Sequence, residues 1–379
     1  MSKKVWIPAI LVTIALVFFA IYFEQKKQKD DSIMIGAIFP LTGDAAQWGI
    51  PPMNGAQLAI DEINAKDGVA GKQLVLNIED SRAEPKEGVS AFNKITSVDK
   101  AQIVIGPVAS SVTLAVAPIA ERNHILLISP ASTNPKISNA GEYIFRVIPS
   151  DALRGQVFAE YMFNEEGIRK VAIIYINNEG GVGNRDSFKE RFVSLGGNIL
   201  MEEGYKQGAT DLRTQITKVK ASNAEAVMII SYPQDTIILM RQAKELDINK
   251  PLYFQTEAVE DSNVLREAGE SAEGATYILP ASAEGASADA FVKAYEEEYG
   301  KKPELFAAEA YDIVYLIAAA IRTDPDSDSY ANLVRDYLYN VSDYAGASGI
   351  ISFNDKGDVV KPMAIKKIVS STPNIISTK

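Results

Sequence analysis

The residues best placed to do chemistry fall in one stretch, residues 105–135, IGPVASSVTLAVAPIAERNHILLISPASTNP. Gly106-Pro107 ends the apolar run 103–105, and Ser110 and Ser111 stand where helix N-cap residues belong. Leu114, Ala117 and Glu121 follow at helical spacing, while Pro118 predicts a kink or a broken first half. Residues 125–129 form a short apolar strand, and Ser129-Pro130-Ala131-Ser132-Thr133 is a second hydroxyl-rich loop at its end. In an open α/β sheet the two loops lie at the same edge, where such folds bind ligands. A helix N-terminus bearing serines is an anion site, because its first N–H groups lack partners and its dipole end is positive. The same pattern also suits serines that only cap a helix.

Composition narrows the other chemistries. The 379 residues contain no Cys, which excludes disulfides, thiolate metal sites and cysteine nucleophiles. The one His, His124, lies between a helix and a strand. It cannot build a His-rich metal site, and a Ser-His-Asp triad would have to use it, so it reads as a turn residue. The Gly180-Gly181-x-Gly183 run lacks both the dinucleotide spacing and a following Lys-Ser/Thr, and reads as a turn. No cofactor or metal is expected. Formal net charge is −11, and the first 31 residues carry +2 (five Lys against three acidic residues), so the rest of the chain carries −13. An acidic body offers no basic stripe for phosphates, which argues against a nucleic-acid partner.

The elements that position these residues follow from periodicity. Strands are predicted at 33–39, 74–80, 101–105, 125–129 and 143–147, with helices after the first three. A second series starts near Asp151: helix 151–165, strand 171–176, glycine-rich loop 177–183, helix 186–195, strand 198–203, helix 211–221, strand 226–231, helix 235–246 and strand 251–255. Such alternation implies parallel sheets covered by helices, and two series imply two doubly wound lobes. The third section differs. It has helices at 288–299, 304–323 and 329–341, the second apolar nearly all round and hence buried. Strands 349–353 and 363–368, around the turn 354–358, read as a closing hairpin. Tyr311-Asp312 on the apolar helix is read as packing.

At the N-terminus Lys3 and Lys4 precede an uncharged apolar run of 19 residues, from Val5 to Phe23. As a helix it spans roughly 28 Å, about a bilayer core. No small-x-small cleavage site follows, so the run is expected to stay as a membrane anchor, with a cleaved signal segment as the alternative. Residues 24–32 form a polar linker.

Several motifs in order give the chain a resemblance. They are Ala46-Gln47-Trp48-Gly49, Asn54-Gly55-Ala56 leading to Ile60-Asp61-Glu62-Ile63-Asn64, Gly106-Pro107 with Ser110-Ser111, Ile128-Ser129-Pro130-Ala131-Ser132-Thr133, Arg241-Gln242-Ala243 and Phe353-Asn354-Asp355-Lys356-Gly357-Asp358. With these, residues 33–370 resemble the bacterial periplasmic binding proteins for branched-chain amino acids, a leucine/isoleucine/valine-binding group of type I solute-binding proteins. The resemblance implies an α/β fold of two doubly wound parallel-sheet lobes joined by three crossovers. One lobe is 32–149 with 281–345, the other 150–280 with 346–379, and 1–31 is the anchor and linker.

The resemblance also implies site residues. Ser110 falls where the family binds the ligand α-carboxylate, and Ala131 and Thr133 fall where that site is completed and the amine held. Glu257 matches the acid that pairs with the α-ammonium, Trp48 an aromatic near the ligand side chain, and Tyr232 a cleft tyrosine of the second lobe. At 179–181 the chain departs: some members place an aromatic there, and here the residues are Glu179-Gly180-Gly181. The implied function is extracytoplasmic capture of an amino acid, branched-chain or related, and its delivery to an ABC permease, with no catalysis. Alternatives are a membrane-tethered sensor with the same lobes, a binder of amides or urea, and a serine hydrolase using Ser110 or Ser132. The last would require His124. His124→Ala is expected to leave both folding and function intact, as circular dichroism and a functional assay would show. Lost function in a folded variant would favour the hydrolase.

Overall fold

The computed structural model describes residues 32–43, 45–304 and 306–379. The expected membrane anchor, from Val5 to Phe23, lies outside them. Among the described residues no helix is long and apolar enough to cross a membrane.

Short β-branched runs become parallel strands, and the central ones (residues 103–105, 126–129 and 226–230) are buried on both faces, as expected when helices cover a sheet on each side. In the first series β1 (Ser32–Phe39), β2 (Gln73–Asp80), β3 (Ile103–Ile105), β4 (Leu126–Ser129) and β5 (Ile144–Arg146) alternate with α1 (Ile50–Asn64), α2 (Pro85–Asn93) and α3 (Ser110–Arg122). The strands form an all-parallel five-stranded sheet in the order β2-β1-β3-β4-β5. Its centre is fully dry: Ile35, Ile38, Phe39, Val104, Ile105 and Leu127 are buried.

The second series runs α4 (Asp151–Glu160), β6 (Lys170–Ile176), α5 (Glu179–Ser194), β7 (Asn198–Tyr205), α6 (Arg213–Ala221), β8 (Ala226–Ile230), α7 (Pro233–Glu245), β9 (Leu252–Phe254), α8 (Ser262–Ala268) and β10 (Thr276–Pro280). Then come α9 (Ala286–Tyr299), α10 (Ala307–Thr323), α11 (Tyr330–Tyr339), β11 (Tyr344–Gly346), β12 (Gly349–Ile351), β13 (Met363–Val369) and β14 (Thr372–Thr378). The second sheet has seven strands in the order β14-β13-β10-β9-β8-β6-β7. Strands β6 to β10 are parallel, and β13 and β14 add antiparallel at one edge.

Four local expectations are corrected. Helix α3 runs unbroken through Pro118. Pro118 is exposed, while Val112, Val116, Ala117 and Ala120 are buried, so packing of that face holds the helix together. Its N-cap is Ala109 without a side-chain cap, and Ser110 and Ser111 open the first turn. Residues 179–183 are the first turn of α5 and not a loop, because Asn178 caps the backbone N–H of Gly181 at 2.9 Å. The closing hairpin joins β13 to β14 through Ser370 and Ser371, both with positive φ (51° and 61°). Segment 349–351 instead pairs with 344–346 in a separate two-stranded sheet.

The third-section helices pack on the first sheet's side. Tyr311 and Tyr315 both donate to Glu62 on α1, at 2.7 and 2.5 Å. Asp312 accepts the N–H groups of Ala347 and Ser348, each at 2.7 Å, and so pins the turn between β11 and β12. Helix α1 reaches α10 through Gly55, where a Cβ would stand 2.0 Å from Ala307 O. Gly55→Ala must therefore push the helices apart. We expect a loss of about 1–3 kcal/mol, measured by equilibrium urea unfolding; an unchanged midpoint would contradict this close approach.

Candidate ligand-binding site

The carboxyl ends of both sheets converge on one place. Residues at or just past the ends of β3 (Val108, Ala109, Ser110), β4 (Ala131, Thr133), β6 (Ile176, Gly180, Gly181), β8 (Ile230, Ser231, Tyr232) and β9 (Gln255, Thr256, Glu257) line a cavity of about 50 Å³. Trp48, Arg154, Asn184 and Phe306 complete the lining. Open α/β sheets place ligands at such strand ends. All six residues singled out from the sequence (Ser110, Ala131, Thr133, Glu257, Trp48 and Tyr232) are brought together here.

Hydroxyl groups stitch the loops of the first sheet. Ser129 Oγ donates to Pro107 O at 2.6 Å and Ser132 Oγ to Val108 O at 2.9 Å. Both serines are fully buried, and their hydroxyls satisfy carbonyls of the dry loop after β3. Ser110 Oγ accepts the N–H groups of Thr133 and Asn134, both at 3.2 Å. This sets the second loop against the first turn of α3, whose leading N–H groups have no partner inside the helix. His124 sits just past the opposite end of α3, roughly 20 Å along the axis from Ser110, with its ring stacked on Tyr143 at 5.1 Å.

The apolar wall is aromatic. The Trp48 ring lies 4.9 Å from Tyr232 and 6.2 Å from Phe306, both edge-on. Phe306 is held at φ 69°, a backbone region that bulky side chains avoid. Tyr232 Oη accepts Asn178 Nδ2 at 3.1 Å. Burial pushes its phenol up to about 12, so it stays neutral at physiological pH. A Cβ at Gly180 would stand 3.6 Å from Ser110 Cβ and 3.8 Å from Tyr232 Oη. A larger side chain there would fill the cavity, and glycine leaves it open.

The polar wall contains a residue that sequence reasoning missed. Arg154 donates through Nη2 to Glu257 Oε1, and its Nη1 lies 3.6 Å from Asp151 Oδ1. Arg154, Glu257 and Asp151 are only 1%, 5% and 1% exposed, so water cannot screen them. Burial pushes the Asp151 carboxyl up, against the pull of Arg154. Burial pushes the Arg154 guanidinium down, but attraction to Glu257 and Asp151 outweighs it and the net direction is up. Asp151 also accepts Thr133 Oγ1 at 2.8 Å. The Asp151–Arg154 spacing of three was visible on a helix start, but an i,i+3 pair is normally a surface feature, and nothing in the sequence turned it inward toward Glu257.

Two further contacts join the two series. Asn134 Nδ2 donates to Glu179 O at 2.6 Å, and Lys136 Nζ pairs with Glu179 Oε2 at 2.9 Å. One partner in each contact follows the first sheet's β4, and the other opens α5 of the second series.

The sequence model of a family described as "Periplasmic binding protein" matches residues 32–373. The leucine-, isoleucine-, valine-, threonine-, and alanine-binding protein of Pseudomonas aeruginosa is 28% identical over 341 residues, covering 89% of this chain and 90% of its own. The Leu/Ile/Val-binding protein BraC3 of Rhizobium johnstonii is 30% identical over 331 residues, covering 86% and 89%. The crystal structure of a leucine binding protein, LivK, from Thermotoga maritima superimposes with a TM-score of 0.85 at 26% identity, over 91% of this chain and 98% of that one.

The ion pair makes its own prediction. Glu257→Ala leaves a buried guanidinium with Asp151 alone, and should cost about 3–5 kcal/mol of stability even without ligand. Replacing the whole cluster, as Arg154→Met with Glu257→Leu and Asp151→Asn, should recover most of it, since no buried charge is then left without its partner. Urea unfolding of the three proteins checks this. A wild-type midpoint for Glu257→Ala would mean that the pair does not form.

Proposed function

Since the chain belongs to the periplasmic binding protein family, we propose that it captures a small carboxylate of the amino-acid class outside the cytoplasm and delivers it to an ABC permease. The two lobes are 32–149 with 281–345 and 150–280 with 346–379. They close on the ligand by hinge bending. The segment from Val5 to Phe23 tethers the protein to the membrane, or directs its export if it is removed. The relatives' named ligands (leucine, isoleucine, valine) supply the amino-acid part of this reading.

One observation carries it: strand ends and the segments that follow them from two separate sheets, including all six expected residues, line a single cavity. The ligand carboxylate lies at the first turn of α3, near Ser110, Ala131 and Thr133. Its apolar part lies against Trp48, Tyr232 and Phe306. A helix N-terminus supplies unpaired N–H donors and a positive dipole end, which suits a carboxylate.

A thermal-shift screen of the full chain, unfolded and refolded to strip carried-over ligand, tests the proposal. The panel holds amino acids, their 2-oxo and 2-hydroxy counterparts, amides and urea. A ligand at 100 times its dissociation constant stabilises by about 2.7 kcal/mol, a shift of several degrees. Trp48→Ala should weaken the best ligand by at least about 2 kcal/mol, since a buried aromatic anchor is lost. Stabilisation by amides or urea but by no carboxylate would refute the assignment.

A further inference from the structure

Phe306 lines two cavities. One is the cleft cavity of about 50 Å³. The other, of about 550 Å³, adjoins it and is walled by Leu279 and Pro280 of β10, Phe291 and Val292 of α9 and Ala308 of α10, among others. Glu257 is the one other described residue common to both linings, and Arg154 holds its carboxylate in place. The Phe306 ring stands edge-on to Trp48 at 6.2 Å, and Trp48 lines the cleft cavity, so the ring itself belongs to the shared wall.

The two sizes give that wall its meaning. An apolar cavity of roughly 150 Å³ takes a benzene ring. The cleft cavity is well below that size, and the second cavity well above it. The backbone at Phe306 adds an independent observation. It lies at φ 69°, ψ −1°, where a bulky side chain is disfavoured. Glycine or asparagine would hold the same turn at lower cost, so the turn itself does not call for a phenyl ring. A ring kept there against local preference is kept for what it does to its surroundings.

We propose that Phe306 sets the length of the ligand side chain: its ring divides the cleft from the larger cavity and keeps phenyl-sized side chains out. The inference rests on the reading that the cleft binds a small carboxylate of the amino-acid class, and it narrows that class to members with short aliphatic side chains. Opening the wall at Phe306 gives a longer side chain a path past Glu257 into the space beside Leu279, Phe291 and Val292.

Isothermal titration of the refolded full chain tests this with two groups of ligands. The short group is alanine, 2-aminobutyrate, valine and leucine, and the long group is phenylalanine and homophenylalanine. In the native chain the best short ligand should bind at least about tenfold tighter than either long one, because a filled site resists added carbons as an overpacked core does. Phe306→Gly suits the left-handed backbone and should shift the ratio toward phenylalanine by at least about tenfold. Phe306→Asn also tolerates that backbone, and it serves as the test if the glycine variant fails to fold. Both affinities are read on one variant, so a mere loss of folded protein cannot move their ratio. Adding Val292→Trp to Phe306→Gly refills the second cavity and should take the gain away. A gain that survives Val292→Trp overturns this inference, because the long side chain would then lie elsewhere. Native binding of phenylalanine as tight as that of the best short ligand, or an unchanged ratio in a folded Phe306 variant, overturns it too and leaves the proposed function standing. No binding by either group overturns both.

Discussion

A guanidinium with 1% exposure cannot stay unpaired, and much of the cleft is arranged to pair it. Arg154 draws Glu257 from the loop after β9 and Asp151 from its own helix. Asp151 in turn holds Thr133, which follows β4 of the other sheet, and Asn184 of α5. One buried charge thereby links segments from both sheets. Without the carboxylates the charge would be too costly to bury. Without the charge the two carboxylates would repel each other across a dry space.

A second buried guanidinium does similar work where the chain passes between the halves. Arg146, fully buried at the end of β5, donates to Asp358 Oδ1 at 2.7 Å, Asn134 O at 2.9 Å and Ser138 Oγ at 2.7 Å. Its backbone N–H donates to Gly357 O at 3.0 Å. The turn at 354–358 is thus fixed to the loop that carries Thr133 and Asn134. Asn134 then reaches the backbone of Glu179 at the start of α5. Loop placement and the bridge between the two series share one hydrogen-bonded chain.

Much of this was legible in the sequence because it is local. β-branched runs bounded by Gly and Pro marked the parallel strands, and hydroxyls after 105 and 129 marked the sheet edge that lines the cavity. What stayed hidden is long-range or depends on conformation. The Arg154–Glu257 pair joins residues 103 apart, and Arg154 taken alone looks like any arginine on an amphipathic helix. Phe306 reaches the cavity from a left-handed backbone that its own side chain disfavours, so no propensity points to it. The edge strand β14 was missed because Pro373 and a run of Ser and Thr mask it, and a Ser-Ser turn carries none of the usual hairpin signal. Gly181 read as a loop residue. It is glycine because a Cβ would stand 2.0 Å from Ile176 O, which concerns helix-to-strand packing.

The cavity's selectivity then follows from which groups it leaves unpaired. A hydrophobic wall such as Trp48, Tyr232 and Phe306 separates ligands that differ by a methylene only weakly, whereas unpaired buried polar groups discriminate strongly. Arg154 Nε, Trp48 Nε1, Asn184 Oδ1 and Gln255 Oε1 are such groups. They belong to lining residues, as do Trp48, Tyr232 and Phe306, so the cavity joins an apolar wall that separates ligands weakly to a polar wall that can separate them strongly.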